Sequence, residues 1–501
     1  MHLNDDESMK NCFVVLSLLI LACSCGVSKN SYTPYKKFSP EQLQKDYELF
    51  RNALEEIHPS LYWYTPKDSV DFYFDVGASR LKDSLPEYKF RNVLSYVLAQ
   101  IHCGHTSVRA SKAATRYSER TRTLMFPLNI KAWKDTVLVT SNLSRRDSNI
   151  MRGVLLKSID NRPISTIIDS MFHHLSGDGY NMTHKYQSLS NSGVFRSMYG
   201  SIYGLKSRTP VEYIDTAGVL RRTEISLGMQ IVDTARIRRE REHRPSKKER
   251  KNAILLSMRS MRIDTSLHTA FLEVNSFSSG NRLRKFFRQS FHQIRKKQID
   301  NLVVDMRGNG GGNVLLSNLL TKYISDKPFK IADSLYAMKK KSRYRRYEQN
   351  YFVNRLFLLF LTHKESDGHY HFNKYENRYF KPKKKNHFSG TTYILIGGNT
   401  FSAATLFTKA LVDQPGVVVV GEETGGGAYG NTAWLIPEVT LPNTKVRFRL
   451  PLFRLVIDKD AQKGRGVIPE VEVDPTVNAI RRNEDYKMNK VLEMIKSSLK
   501  N

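Results

Sequence analysis

The chain is poor in cysteine. Only four occur in 501 residues, Cys12, Cys23, Cys25 and Cys103, and the first three stand in the first 25 positions. No disulfide framework can therefore staple the body of the protein. No Cys/His spacing of a zinc site occurs either, so neither a metal nor another cofactor is expected. Apolar runs of membrane-spanning length are missing too: the run from Phe13 to Ala22 falls short of the ~20 residues a spanning helix needs. No long low-complexity tract argues for extensive disorder. Acidic residues are few, 48 Asp and Glu against 79 Lys and Arg, which leaves a formal net charge of +31.

What is present near the start points to export. In "MKNCFVVLSLLILACSCG", Lys10 precedes the apolar run and a cysteine follows it, the layout of a secretory signal. Ile20-Leu21-Ala22-Cys23 resembles a bacterial lipobox, with Cys25 the less well-placed competitor and Met9 an alternative start. Residues 1–22 thus read as a signal peptide, Cys23 as the acylated N-terminus and 23–38 as a linker. The expected location is the periplasm or the cell surface, with a lipid anchor in the outer membrane. An exported protein rarely meets nucleic acid, so none is expected as partner. The basic runs Arg236–Lys251, Lys339–Arg346 and Lys381–Lys385 read as solvated faces, suited if anything to anionic lipid or lipopolysaccharide.

Further along, "SPEQLQKDYELFRNALEEIHP" offers Ser39 as N-cap, Pro40 at the first helical position and Gln42 for a capping box. Leu43, Tyr47, Phe50, Leu54 and Ile57 form its apolar stripe. A second helix carries Phe90, Leu94, Val97 and Ile101, with Gly104 as its stop, which puts His105 just past a helix end. Residues 39–108 read as a helical N-terminal domain and 122–228 as a small β-rich module with an Asp160-Asn161 turn. Residues 229–262 read as a basic insertion. The stretches 268–330 and 389–476 alternate strand and helix, which predicts an α/β layer with parallel strands. A Lys/Arg/Tyr-rich insertion, 331–388, holds the greasy "LFLLFL", and a C-terminal helix occupies 477–501.

Two stretches could carry chemistry. In "YILIGGNTFSAATLFTKALVDQ" a buried strand turns into a helix at Ser402. A helix start offers unpaired N–H groups to a developing oxyanion, but serine there is also an ordinary N-cap. In "DMRGNGGG", Asp305 to Gly312, glycines can present bare backbone N–H groups as a phosphate cradle, an oxyanion donor or a tight turn. No Lys-Ser/Thr follows, so it is not a P-loop. A serine nucleophile also needs a base, and 14 histidines leave that choice open.

"DMRGNGGG", "GNTFSAATLF", "VVGEETGGG" and "GRGVIPEVEV", taken in order with the upstream "IHCGHTSV", resemble the tail-specific (C-terminal-processing) serine proteases. The resemblance implies an α/β core like that of ClpP and crotonase, with a helical N-terminal domain and a PDZ-like β-rich module. It implies Ser402 as nucleophile, with the N–H groups of Ala403 and Gly311 as the oxyanion hole. The family's Ser-Lys branch places a lysine where Gly425, Gly426 and Gly427 stand here. The tricorn-like branch instead uses a histidine at the place of His105; His102 is the nearby competitor but lacks the following threonine. That branch also has a serine before the histidine, where this chain has Gly104, and a downstream glutamate. Asp460, Asp458, Glu422 and Glu423 are the candidates for orienting His105.

The expected protein is an exported serine endopeptidase acting on unfolded or C-terminal polypeptide segments. Two rivals stand beside it: a catalytically degenerate lipoprotein binding an apolar ligand or peptide, and a lipoprotein whose basic face binds glycans or surfaces.

Overall fold

The computed structural model describes residues 32–499 apart from 122, 145–148, 230–244 and 377. The signal peptide, Cys23 and residues 230–244 of the basic insertion lie outside the described residues. No helix among the described residues is long and apolar enough to cross a membrane.

The N-terminal region is built from helices α1 (Pro40–Ile57), α2 (Lys67–Ser79) and α3 (Glu87–Ala99). The capping box at Ser39 is formed as read: its Oγ accepts from Gln42 N at 3.4 Å and Gln42 Oε1 accepts from Ser39 N at 3.1 Å. Helix α2 was not legible, having only Val70, Phe74 and Gly77 buried. Helix α3 stops earlier than the Gly104 expectation. The chain turns at His102, whose φ is +56°. Gly104 serves space rather than a left-handed turn, because a Cβ there would meet the Phe401 ring at 2.5 Å.

These helices have no core of their own. Phe50, Leu54, Phe74 and Phe90 share one apolar cluster with Leu335, Phe372, Phe448 and Phe453, and the rings of Phe50 and Phe448 meet edge to face at 5.1 Å. Asp46, fully buried, ties the two parts by accepting from Asn443 N at 2.9 Å and Thr444 N at 2.7 Å.

The β-rich module contains β1 (Leu128–Trp133), β2 (Thr136–Asn142), β3 (Leu155–Ile159), α4 (Ile164–Phe172), α5 (Met182–Ser190), α6 (Val194–Tyr203), β4 (Arg208–Ile214) and β5 (Leu220–Ser226). Its antiparallel sheet runs β5-β4-β3-β2-β1 around a separate core that includes Phe126, Ile167 and Phe195. Asp160 and Asn161, φ +54° and +59°, make the expected turn. The chain does not return directly to strands after α4. Two more helices follow, and the link between α4 and α5 becomes part of the site.

The α/β layer consists of β6 (Arg259–Asp264), β7 (Thr269–Val274), α7 (Leu283–Lys296), β8 (Asn301–Asp305) and α8 (Val314–Ile324), then β12 (Thr391–Ile396), α10 (Ala403–Leu411), β13 (Val417–Gly421), β16 (Val471–Glu472) and α11 (Tyr486–Ser498). Strand order is β6-β7-β8-β12-β13-β16, parallel except for β6. Residues 259–262, assigned from sequence to the basic insertion, therefore belong to an antiparallel edge strand of this sheet. Helices α7, α8 and α10 cover one face through Phe287, Leu320 and Phe407. Helix α11 covers the other through Val491 and Ile495.

Between α8 and β12 the chain forms β9 (Ser334–Ala337), α9 (Tyr351–Leu361), β10 (His363–Lys364) and β11 (Tyr370–His371). With β14 (Gly430–Trp434) and β15 (Phe453–Val456) they make a second, antiparallel sheet in the order β10-β11-β9-β15-β14. This insertion is thus woven into the rest of the protein. Strands β8 and β12 are parallel neighbours, so the glycine loop after one and the turn after the other emerge side by side at their C-terminal ends, where open α/β sheets place ligands.

Candidate active site

Ser402 stands at the start of α10 with φ +56° and ψ −123°, a conformation that costs a residue with a Cβ about 1–3 kcal/mol and persists only where surroundings impose it. The surroundings are a lattice of backbone bonds. Phe401 N donates to Asn309 O at 3.0 Å, Gly426 N to Thr400 O at 3.1 Å, and Thr400 Oγ1 to Met306 O at 2.9 Å. Although it occupies the N-cap position, Ser402 makes no side-chain cap bond. Its hydroxyl is not consumed by the helix, so the ordinary cap explanation fails.

The glycine loop packs directly beneath. Gly311 has φ +101°, and a Cβ there would lie 2.7 Å from Ser402 Cβ and 3.0 Å from Ala403 N. Its N–H, however, donates to Asn309 Oδ1 at 2.8 Å, which removes it from the oxyanion role the sequence assigned. Asn309 is fully buried and also donates through Nδ2 to Val274 O at 2.8 Å. Gly308, Gly310 and Gly312 of the loop border the cavity, and of these only Gly310 would meet nothing within 4 Å if it had a Cβ. The N–H groups of Gly310 and Ala403 donate to no acceptor among the described residues.

The turn after β13 closes the other side. A Cβ on Gly426 would come within 2.3 Å of Thr405 Oγ1 and 3.0 Å of Ser402 N. The absence of a lysine here thus has a steric cause: no side chain fits at this position.

His105 is 3% exposed and borders the same cavity of about 600 Å³ as Ser402. Its Nδ1 faces Asp178 Oδ1 at 3.6 Å, and neither ring nitrogen has a hydrogen-bond partner. Serine and histidine therefore line one cavity without the direct hydrogen bond expected of them. The Phe401 ring packs against the imidazole, centroids 4.8 Å apart. His102 instead turns away, its Nδ1 bonded to Gly179 O at 3.0 Å.

Asp178 is the residue that sequence reasoning missed. It is 1% exposed, lies in the α4–α5 link, and accepts from Gly104 N at 2.8 Å and Gly427 N at 3.3 Å. One carboxylate thereby holds together the His-Thr loop, the glycine turn and the β-rich module. Three of the four carboxylates named from sequence pair with cations elsewhere. Asp458 pairs with Lys409 at 2.9 Å, Glu422 with Lys487 at 2.6 Å and Glu423 with Arg465 at 2.8 Å, while the Asp460 N–H donates to Asp458. His184, in the first turn of α5, lines the same cavity and packs on Phe401, also with centroids 4.8 Å apart. Its Nδ1 is bonded to Gly398 O at 2.8 Å, and burial lowers its pKa.

Behind the motif, His58 Nε2 and Thr106 Oγ1 are 2.7 Å apart, Thr106 Oγ1 donates to Cys103 Sγ at 3.1 Å, and Cys103 Sγ meets Thr432 Oγ1 at 2.9 Å. Ser60 N donates to His58 Nδ1 at 3.2 Å, so the His58 proton sits on Nε2 and the ring is neutral. Burial, reinforced by Arg454, pushes its pKa down to about 3. In the unfolded chain the group titrates near ~6.5, so below that pH the unfolded state binds a proton the folded state refuses. Stability present above pH ~6.5 is therefore expected to fall as pH drops toward ~3. Urea midpoints at about pH 7 and about pH 4.5 check this, with a smaller difference expected in His58→Asn.

The model of peptidase family S41 matches residues 268–473. No curated protein matches the chain. Among solved structures, mature CPAF complexed with lactacystin is 15% identical, covers 92% of this chain and 98% of its own, and has a TM-score of 0.62. A CPAF mutant, 14% identical with the same coverages, gives 0.64. The photosystem II D1 C-terminal processing protease, 13% identical over 88% of this chain and 96% of its own, gives 0.39, too low to carry any argument. The CPAF likeness shows the fold, and the family match falls on the α/β layer that holds the serine turn and the glycine loop, so that residues 268–473 are a serine-type peptidase domain of family S41.

Proposed function

We propose that Ser402 is the nucleophile, His105 its base and Asp178 the group that positions His105, in an exported endopeptidase that cleaves unfolded or C-terminal polypeptide segments. The observation that carries this reading is Ser402 itself, held in a strained turn at a helix start with its hydroxyl free of the cap bond and facing a cavity that His105 also borders.

In the reaction, His105 takes the Ser402 proton as Oγ attacks the peptide carbonyl. The N–H groups of Ala403 and Gly310 receive the oxyanion, aided by the positive end of α10. The imidazolium then faces the Asp178 carboxylate and passes its proton to the leaving amine, after which water releases the acyl-enzyme. The serine–histidine contact has to form when substrate enters; apo sites commonly leave such contacts long. An extended polypeptide segment suits the cavity, and the β-rich module, read from sequence as PDZ-like, is the natural place for its end. Export and acylation at Cys23 rest on the N-terminal sequence.

The test is hydrolysis of an unfolded protein by wild type and His105→Ala. The variant is expected to lose at least ~10³-fold in kcat. An intact rate would move the base to His184.

A further inference from the structure

Outside the lining of the serine cavity, the β10–β11 hairpin reads "HKESDGHYHF", with a histidine or aspartate at 363, 367, 369 and 371. This stretch contains no cysteine, so it has none of the Cys/His spacings of a zinc finger. We propose that Asp367, His369 and His371 form a binding site for a divalent transition metal ion of the zinc class.

Three observations carry this. First, one ligand atom from each residue lies within 4.8 Å of the others, and the two imidazoles converge on a single carboxylate oxygen. Asp367 Oδ2 is 2.9 Å from His369 Nδ1 and 3.0 Å from His371 Nε2.

Second, His371 has the outer partner that metal-binding imidazoles use. Its Nδ1 donates to Glu376 Oε1 at 2.8 Å, which fixes the tautomer and leaves Nε2 with its lone pair toward Asp367 once that nitrogen gives up its proton. Glu376 is itself fixed by accepting from Leu335 N.

Third, the rings are held in place. Tyr336 stands opposite His371 in the β9–β11 register and stacks on both histidines, with centroids 4.6 Å from His369 and 5.2 Å from His371. Orientation of the donors is thus set before any ion arrives, so little side-chain entropy remains to be lost. On the other flank the β10–β11 register pairs His371 with His363, which puts a third imidazole on the same face of the hairpin.

Two imidazole nitrogens and one carboxylate oxygen suit Zn(II) and its first-row neighbours rather than Mg(II) or Ca(II), which take oxygen ligands. The Asp367 side chain is 46% exposed, so an ion can enter from solvent, and water or His363 can complete its shell. The ion would pin the hairpin to the antiparallel sheet, stabilising the insertion without touching the serine site.

The experiment uses the full-length, untagged, chelator-stripped chain titrated with Co(II) alone, read by its visible d–d absorbance and by displacement with Zn(II). One ion per chain is expected, with binding weakened at least ~100-fold in the His369→Ala/His371→Ala double variant and about 10–100-fold in Glu376→Gln. Circular dichroism checks the folding of each variant. Should the double variant unfold, Asp367→Asn, an exposed and milder change, replaces it with the same expected loss. Failure of the wild type to saturate at one ion per chain overturns the proposal. So does equal affinity in wild type and the folded variants.

Discussion

Ser402→Ala is expected to lower the hydrolysis of an unfolded protein by about 10⁶-fold, the loss that follows removal of a serine nucleophile. Folding should be retained, because the strained turn is imposed by neighbours rather than by the hydroxyl. Phe401 N, Thr400 Oγ1 and Gly426 N keep their partners in the variant, and alanine carries the same Cβ that the site already accommodates. Progress curves at high enzyme concentration measure the rate, and thermal unfolding checks the fold. Cleavage within tenfold of wild type would show that Ser402 is only a helix start.

Asp178→Asn carries the second largest effect, a fall of up to ~10⁴ in kcat with KM little changed. The carboxamide can still accept from Gly104 N with its oxygen. Its NH₂ must then face Gly427 N–H, where an acceptor is needed, and the flipped amide would instead turn its NH₂ to Gly104 N–H and His105. The imidazolium formed during the reaction loses its facing negative charge, and His105 loses the group that orients it. Steady-state kinetics separate this positioning role from a structural one. A simple loosening of the loop would lower the melting temperature and raise KM together, whereas the positioning role lowers kcat in a protein that melts near wild type.

The parts of the site that were legible in the sequence are those made by local pattern. A hydrophobic strand followed by Gly-Gly-Asn-Thr-Phe-Ser and small residues gives the β12–Ser402–α10 turn. "DMRGNGGG" gives the loop beside it, because adjacent parallel strands deliver their C-terminal loops to one place. The His-Thr pair was legible as a motif at a helix end, although the helix stops at Ala99 and the turn is made by His102 rather than Gly104.

The missing parts are made at a distance. Asp178 lies 74 residues from Gly104 and 249 from Gly427, within a segment that read as part of another module. Nothing local distinguishes it from any aspartate beside a glycine. The choice between Gly310 and Gly311 depended on the side chain of Asn309, which takes one N–H and leaves the other. A shared core is hidden for a related reason: the N-terminal helices and the 331–388 insertion look separable by composition, yet Phe50 and Phe372 belong to one apolar cluster. The edge strand Arg259–Asp264 was hidden because its residues are only partly buried and carry charge.

Covalent labelling tests the central assignment most directly. The intact chain is treated with a fluorophosphonate and the adduct located by peptide mass mapping. A single adduct on Ser402, formed more slowly in Asp178→Asn and in His105→Ala, is the result expected from a serine activated by that imidazole. Hydrolysis of an unfolded protein with no adduct on Ser402, or with the adduct on another residue, would contradict it.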